Sequence, residues 1–232
     1  MCDGAVAMPM LSIVVPTLNE ADRLAATLAG LRACCTARIQ LIVVDGGSVD
    51  DTVGIARRFA DRVICGVRGR ALQMNAGAGE ATGEVLWFVH ADTVAPPTAG
   101  DAVLGAMGER DAVWGYFDVR LDGEPALLRV VERMMKLRTR VTGVATGDQG
   151  IWVRRSVFEA VGGYAPLPLM EDVALSKRLR RLRRPLCLPL RLSTSARRWQ
   201  ARGTVRTVML MWWLRLAFWL GVSPETLARW YR

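Results

Sequence analysis

Apolar and polar positions follow two regimes along this chain. Short unbroken apolar runs, "LSIVVP" from residue 11 and "IQLIVVD" from residue 39, are rich in β-branched residues and show no polar alternation. That is the pattern of strands buried on both faces. Between them leucines recur at 24, 28 and 31, a four-and-three spacing that predicts an amphipathic helix over 20–33. Ser48 and Asp50 offer capping side chains ahead of "DTVGIARRFA", the expected start of a second helix. "DRVICGV" predicts a third strand, "RALQMNAGAGEA" a third helix, and "GEVLWFVHAD" a fourth strand. Strict alternation of strand and helix implies an α/β fold with a mostly parallel sheet and helices on both faces. Right-handed crossovers gather the strand C-termini at one edge, where ligands of such sheets bind. "PTLNE", "DGGSVDD" and "HAD" all fall at that edge.

The second half is less regular. "DAVWGYFDVRL" predicts a strand, and "PALLRVVERMMKLRTRV" a helix whose apolar stripe at 127, 128, 131, 134 and 135 runs on into Arg138. "GDQGIWVRR" predicts a turn and then a strand. "MEDVALSKRLRRLRR" predicts a helix with Glu171 and Asp172 in its first turn, where the helix dipole favours acids. Leu175, Leu179 and Leu182 give that helix one apolar face, although "KRLRRLRR" carries six bases in eight residues. A last helix over 204–220 is so broadly apolar, with Thr204, Thr207 and Arg215 on a narrow polar strip, that it must pack into the core, another subunit or a membrane interface. No repeat, linker or low-complexity tract divides the chain, so a single domain over 1–232 is expected.

Composition narrows the function classes. At 51% apolar and 23% charged the chain is globular. Its five cysteines, 2, 34, 35, 65 and 187, lack CxxC or Cys/His spacing, which argues against a disulfide framework and a zinc site. A net charge of +9 favours polyanionic partners: nucleic acid, an anionic membrane or phosphorylated substrates. The basic stretches lack the interleaved aromatics of a single-strand binder, so nucleic acid is not expected. The N-terminus has no signal-peptide pattern. The most apolar run, "VMLMWWLRLAFWL", would reach only ~20 Å as a helix against ~30 Å of hydrocarbon. A cytoplasmic location is expected, with the inner membrane face as a surface for peripheral contact by this Trp-rich helix.

The candidate chemistry sits at the strand ends. Pro16 fixes a bend, and Thr17, Asn19 and Glu20 present polar side chains after the first strand; an ordinary helix cap is the alternative. Asp45 ends the second strand, and Gly46 and Gly47 allow close approach to the backbone ahead of a capped helix. An acid there can accept from a nucleobase imide or a ribose hydroxyl, or simply cap the turn. GxGxxG and GxxxxGK[ST] are both missing, which disfavours a dinucleotide fold and a P-loop. His90, the only histidine, lies two residues from Asp92. In an extended strand the two would share a face toward the ligand edge.

Four blocks carry a resemblance: "SIVVPTLNEA", "VVDGGSVDDT", "GRALQMNAGAGEATGEVLWFVHADT" and "GDQGIWVRRSVFEAVGGYAPLPLMEDVALSKRLR". In this order, over Ser12 to Arg180, they resemble family 2 glycosyltransferases of the GT-A fold. The likeness is to a small bacterial branch with HAD at the strand end and "STSARRW" in the tail. The resemblance implies an inverting hexosyltransferase. Pro16, Thr17, Asn19, Glu20, Asp45, Gly46 and Asn75 would hold a nucleotide sugar, UDP-linked, with Arg70 near its diphosphate or base edge. Asp92 matches the last acid of the family's DxD, which binds the diphosphate through Mn2+ or Mg2+. His90 replaces an acid of most relatives, and would meet either the metal, favouring Mn2+, or the nucleotide. Asp172 matches the catalytic base. Asp148, Gln149, Glu171, Arg197, Arg198 and Trp199 would face the acceptor, which could be lipid-linked, or the diphosphate. On this reading residues 10–95 form a nucleotide-binding half, 96–200 an acceptor and catalytic half, and 202–232 the apolar helices. A nucleotidyltransferase of related fold and a non-catalytic nucleotide-sugar or nucleic-acid binder are the alternatives.

Overall fold

The computed structural model describes residues 10–109, 112–123, 126–195 and 203–231. Its first half is built on a pair of apolar strands, Leu11–Thr17 (β1) and Ile39–Asp45 (β2), which run parallel in register from Leu11↔Ile39 to Thr17↔Asp45. Arg62–Cys65 (β3) adds outside β2, and Val85–Phe88 (β4) adds on the other side of β1, both parallel. The connecting helices are Ala21–Ala33 (α1), Thr52–Phe59 (α2) and Arg70–Gly79 (α3). Successive β1 residues enter opposite cores: Ile13 and Val15 pack with Leu24, Leu28 and Leu31 of α1, whereas Val14 packs with Met74 of α3. The strand runs lack polar alternation because helices cover both faces. The expected leucine stripe of α1 is the buried one.

Beyond β4 the chain adds Thr93–Val94 (β5), Ala99–Glu109 (α4), Trp114–Leu121 (β6) and Ala126–Thr142 (α5). A 3-10 turn at Gly147–Gln149 leads to Trp152–Arg154 (β7) and Arg155–Ala160 (α6). Glu171–Leu182 (α7), Leu186–Thr194 (β8), Thr204–Trp219 (α8) and Pro224–Tyr231 (α9) follow. The strands form one sheet ordered β3-β2-β1-β4-β7-β6-β8-β5. β7 is antiparallel to both neighbours, and β6 and β8 are parallel.

Two local expectations differ from the structure, and one that was left open is narrowed. Strand β4 ends at Phe88, and the backbone turns at once, with Thr93 N–H donating to the His90 carbonyl at 3.1 Å. His90 and Asp92 are therefore turn residues rather than alternate positions of an extended strand. In α5, Leu128 and Val131 of the expected stripe are buried, Met134, Met135 and Arg138 are half-buried and Leu127 is exposed, so the inward stripe is narrower than the spacing implied. The apolar α8 buries only Leu214 and Ala217 among its residues and leaves Met209, Trp212, Trp213 and Trp219 exposed.

Gly115 of β6 lies opposite Trp152 of β7 on one side and Leu186 of β8 on the other. A Cβ at this position would overlap the Leu186 carbonyl oxygen and the Trp152 indole. The backbone contact cannot yield as a flexible side chain would. Gly115→Ala is expected to destabilise the fold by about 1–3 kcal/mol, the usual cost of overpacking, seen as a lower urea midpoint with an unchanged m-value.

Candidate active site

A cavity of about 1340 Å³ opens beside the C-terminal ends of β1 and β4. Pro16, Thr17, Glu20, Arg70, His90 and Asp92 line it, as do Asp148 and Asp172 from the second half. Two of the three strand-end clusters, "PTLNE" and "HAD", thus line one cavity, and the third, "DGGSVDD", is hydrogen-bonded to the first behind it.

The first wall is built by loops that satisfy one another. Asn19 adopts φ 54°, a left-handed conformation that Asn tolerates better than most residues. Its N–H donates to Ser48 Oγ at 2.8 Å, and its Oδ1 accepts from Val49 N–H at 2.9 Å. Asp45 is 2% exposed and closes its own turn, accepting from Gly47 and Ser48 N–H at 2.8 Å and from the Ser48 hydroxyl. Gln73 donates to the carbonyls of Thr17 at 2.9 Å and Val44 at 2.8 Å, tying β1 to β2. Asn19, Asp45, Gly46 and Gln73 therefore shape the wall, and of these only Gln73 lines the cavity itself.

The second wall starts at α7. Met170, 4% exposed, takes φ 66°, a conformation unfavourable for a side chain of this kind by roughly 1–2 kcal/mol. The helix begins at the next residue. Glu171 points inward, 2% exposed, and accepts from Arg70 Nε at 2.5 Å. Burial pushes the Glu171 carboxyl above the usual carboxylate range; the Arg70 guanidinium opposes that rise and Asp172 adds to it. Arg70 Nη1 also lies 3.4 Å from His90 Nε2. A guanidinium can only donate, so a hydrogen bond between the two requires Nε2 as the acceptor. Asp172 accepts from Gly147 N–H at 2.7 Å and from Val173 N–H at 2.7 Å. A Cβ on Gly147 would stand 2.8 Å from His90 Nε2 and 3.6 Å from Asp172 Oδ2, so one glycine separates the imidazole from the carboxylate.

Other residues singled out in the sequence are brought near the site without facing the cavity. Asn75 uses both ends of its amide on the backbone of Tyr164, at 2.8 Å each. Gln149 is 1% exposed, and its Oε1 accepts from Thr146 N–H at 3.0 Å and Thr139 Oγ1 at 3.1 Å, holding the 3-10 turn. Arg197, Arg198 and Trp199 lie outside the described residues. Two cavity residues escaped the motif reading, Arg138 of α5 and Arg215 of α8. The available signal was a charge inside an apolar stripe. Among the described residues no three His, Cys, Asp or Glu side chains converge as a metal cage.

Residues 12–162 match the family described as Glycosyl transferase family 2. The chain belongs to that family. An uncharacterized glycosyltransferase of Mycobacterium tuberculosis is 36% identical over 124 residues, 50% of this chain and 47% of its own length. The undecaprenyl-phosphate 4-deoxy-4-formamido-L-arabinose transferase of Klebsiella pneumoniae is 27% identical over 167 residues, 65% of this chain and 50% of its own. This family 2 chain thus spans about half the length of those curated relatives. S. aureus TarS 1-349 in complex with UDP-GlcNAc matches with TM-score 0.65 at 18% identity, covering 80% of this chain and 58% of that one. The mannosyltransferase PcManGT from Pyrobaculum calidifontis, in complex with GDP-Man and Mn2+, matches with TM-score 0.62 at 19% identity, covering 81% and 57%. At these identities the likeness is one of fold, and it is to the α/β glycosyltransferase fold expected from the sequence.

A carboxyl whose pKa rises on folding makes the native state the stronger proton binder. Relative to Glu171→Gln, the wild-type chain is expected to gain stability as pH falls through the folded Glu171 pKa toward about 4.3, the free carboxyl value. The gain should level off below that. Paired urea titrations across this range check the sign, and a constant difference between the two proteins would contradict it.

Proposed function

We propose that this chain transfers a sugar from a nucleotide-sugar donor, UDP-linked, to an acceptor hydroxyl, with inversion at the anomeric carbon. The observation that carries the reading is the position of Asp172. Its carboxylate lies on the same cavity as Asp92 and the loops after β1 and β4, and Gly147 N–H orients it. Complexes of similar fold with UDP-GlcNAc and with GDP-Man and Mn2+ support a nucleotide-sugar donor.

In this reading the acceptor hydroxyl attacks the anomeric carbon on the face opposite the nucleoside diphosphate, and its proton passes to Asp172. Base assistance of this kind contributes on the order of 10²–10⁴ in rate. Arg70 stands beside His90 on the cavity wall, where its positive charge favours a phosphate group. Cations such as Mg2+ are commonly held by one or two carboxylates together with substrate phosphates. Asp92 fits that requirement as an oxygen ligand on the cavity wall. His90 fits it less well, because its Nε2 faces Arg70. When bound, Mn2+ or Mg2+ would supply positive charge to the departing diphosphate.

The proposal extends to the acceptor and its location. The name of the Klebsiella relative specifies a lipid phosphate, which supports a lipid-linked acceptor here. Trp212, Trp213 and Trp219 are exposed on α8, which suits peripheral contact with the inner face of a membrane. Among the described residues no helix is long and apolar enough to cross one.

Asp172→Asn is expected to keep UDP affinity within about twofold while sugar transfer falls on the order of 10²–10⁴. Calorimetry with UDP and Mn2+, beside a nucleotide-release assay over a panel of nucleotide sugars, measures both. Wild-type turnover in this variant removes the proposed base. Asp92→Asn is expected to abolish the Mn2+-dependent part of UDP binding, and unchanged metal dependence would remove Asp92 from the donor site.

A further inference from the structure

Two guanidinium groups in the cavity wall have no role in the donor reading above. Arg138 extends from α5 and Arg215 from α8, and both line the cavity beside Asp148 and Asp172. Arg138 is fixed from behind: its Nη2 donates to Thr139 Oγ1 at 3.1 Å, Thr146 Oγ1 at 3.3 Å and Gln149 Oε1 at 3.3 Å. Its Nε and Nη1 are closed off from solvent without a hydrogen-bond partner among the described residues, as is Oδ1 of Asp148. Buried donors are nearly always paired, and an unpaired cationic one is among the most costly groups a fold can hold.

The second observation is that like charges are kept together. Burial, with the charge of Arg215 as the next cause, brings Arg138 down to about 10, and burial lowers Arg215 as well. Asp148 and Asp172 offset this in part. Asp172 already accepts two backbone N–H bonds, and among the described residues Asp148 forms no ion pair with either arginine. A pair of half-buried arginines beside a polar cavity matches an oxyanion, which guanidinium groups bind through several charge-assisted hydrogen bonds.

The third observation gives the rest of the ligand. Val131, Met134 and Met135 of α5 and Val208, Met211 and Trp212 of α8 line the same cavity. The helices that carry the two arginines therefore also offer an apolar gallery. Unbranched methionines suit a flexible hydrocarbon surface better than a rigid one.

We propose that Arg138 and Arg215 form an anion subsite for the phosphate or carboxylate of an amphipathic ligand whose apolar body lies between α5 and α8. Identifying this ligand as the sugar acceptor rests on the proposed glycosyl transfer; the subsite itself does not.

Calorimetry on the full chain tests the subsite with dodecyl phosphate below its micelle concentration, beside inorganic phosphate and dodecanol. Dodecyl phosphate is expected to bind at least tenfold more tightly than either, since charge and tail both contribute. Arg215→Gln should weaken it about tenfold or more, the usual scale for hydrogen bonds to charged groups. UDP affinity in Mn2+ should stay unchanged in this variant. Arg215→Lys, which keeps the charge but not the fork, should lose several-fold, and it carries the comparison if the Gln variant fails to melt cooperatively. Equal dodecyl phosphate affinity in wild type and variants overturns the subsite. Inorganic phosphate binding as tightly as dodecyl phosphate overturns the gallery. A parallel loss of UDP binding overturns the assignment by putting the arginines on the donor diphosphate. If UDP fails to bind wild type while dodecyl phosphate does so through Arg215, the transferase reading falls and the anion subsite stands.

Discussion

The ion pair of Arg70 with Glu171 joins the first turn of α3 to the first turn of α7, segments that are remote in sequence. One partner is a carboxylate with 2% exposure, which would be costly to ionise without a guanidinium beside it. The other is 38% exposed, so solvent screens part of the attraction. The pair accordingly stands between an exposed ion pair, worth about 0–1 kcal/mol, and the roughly 3–5 kcal/mol lost when a buried pair is broken. Its geometric effect is larger than its net energy. The same guanidinium reaches His90, so α3, the turn after β4 and α7 share one cation. Asp172 follows Glu171 directly and inherits that position, and Gly147 N–H then sets its carboxylate.

Much of the first half of the fold could be read in the sequence. Unbroken β-branched runs in β1 and β2, with leucines at 24, 28 and 31 between them, leave little choice of period, and the structure follows them closely. The second half was harder for physical reasons. β8 contains Pro189 and mixes buried with exposed positions, and its pairing with β6 shifts register between Phe117 and Asp118. β5 has two residues, too few for any periodicity. The turn at His90 depends on one backbone bond to Thr93, which apolar patterning does not record.

The candidate site was partly legible in the same sense. Strand-end motifs marked Pro16, Thr17, His90 and Asp92, the family resemblance added Asp172, and all five line one cavity. The motifs also marked Asn75 and Gln149, whose amides hold neighbouring segments in place instead. A sequence block does not separate residues that meet a ligand from those that brace the ones that do. Gln73 and Arg138 show the converse: their placement depends on what lies across the fold. Arg138 left a trace only as a charge inside an apolar stripe.

His90 has a consequence for how this protein can be observed. It is the only histidine in 232 residues, and its Nε2 lies 3.4 Å from Arg70 Nη1 on the cavity wall. Its two ring C–H groups give the only imidazole resonances in the molecule. A proton spectrum of the unlabelled protein therefore contains a reporter on Arg70, Glu171 and whatever enters beside them, with no assignment needed. The one imidazole of the chain is thus a native probe of the site.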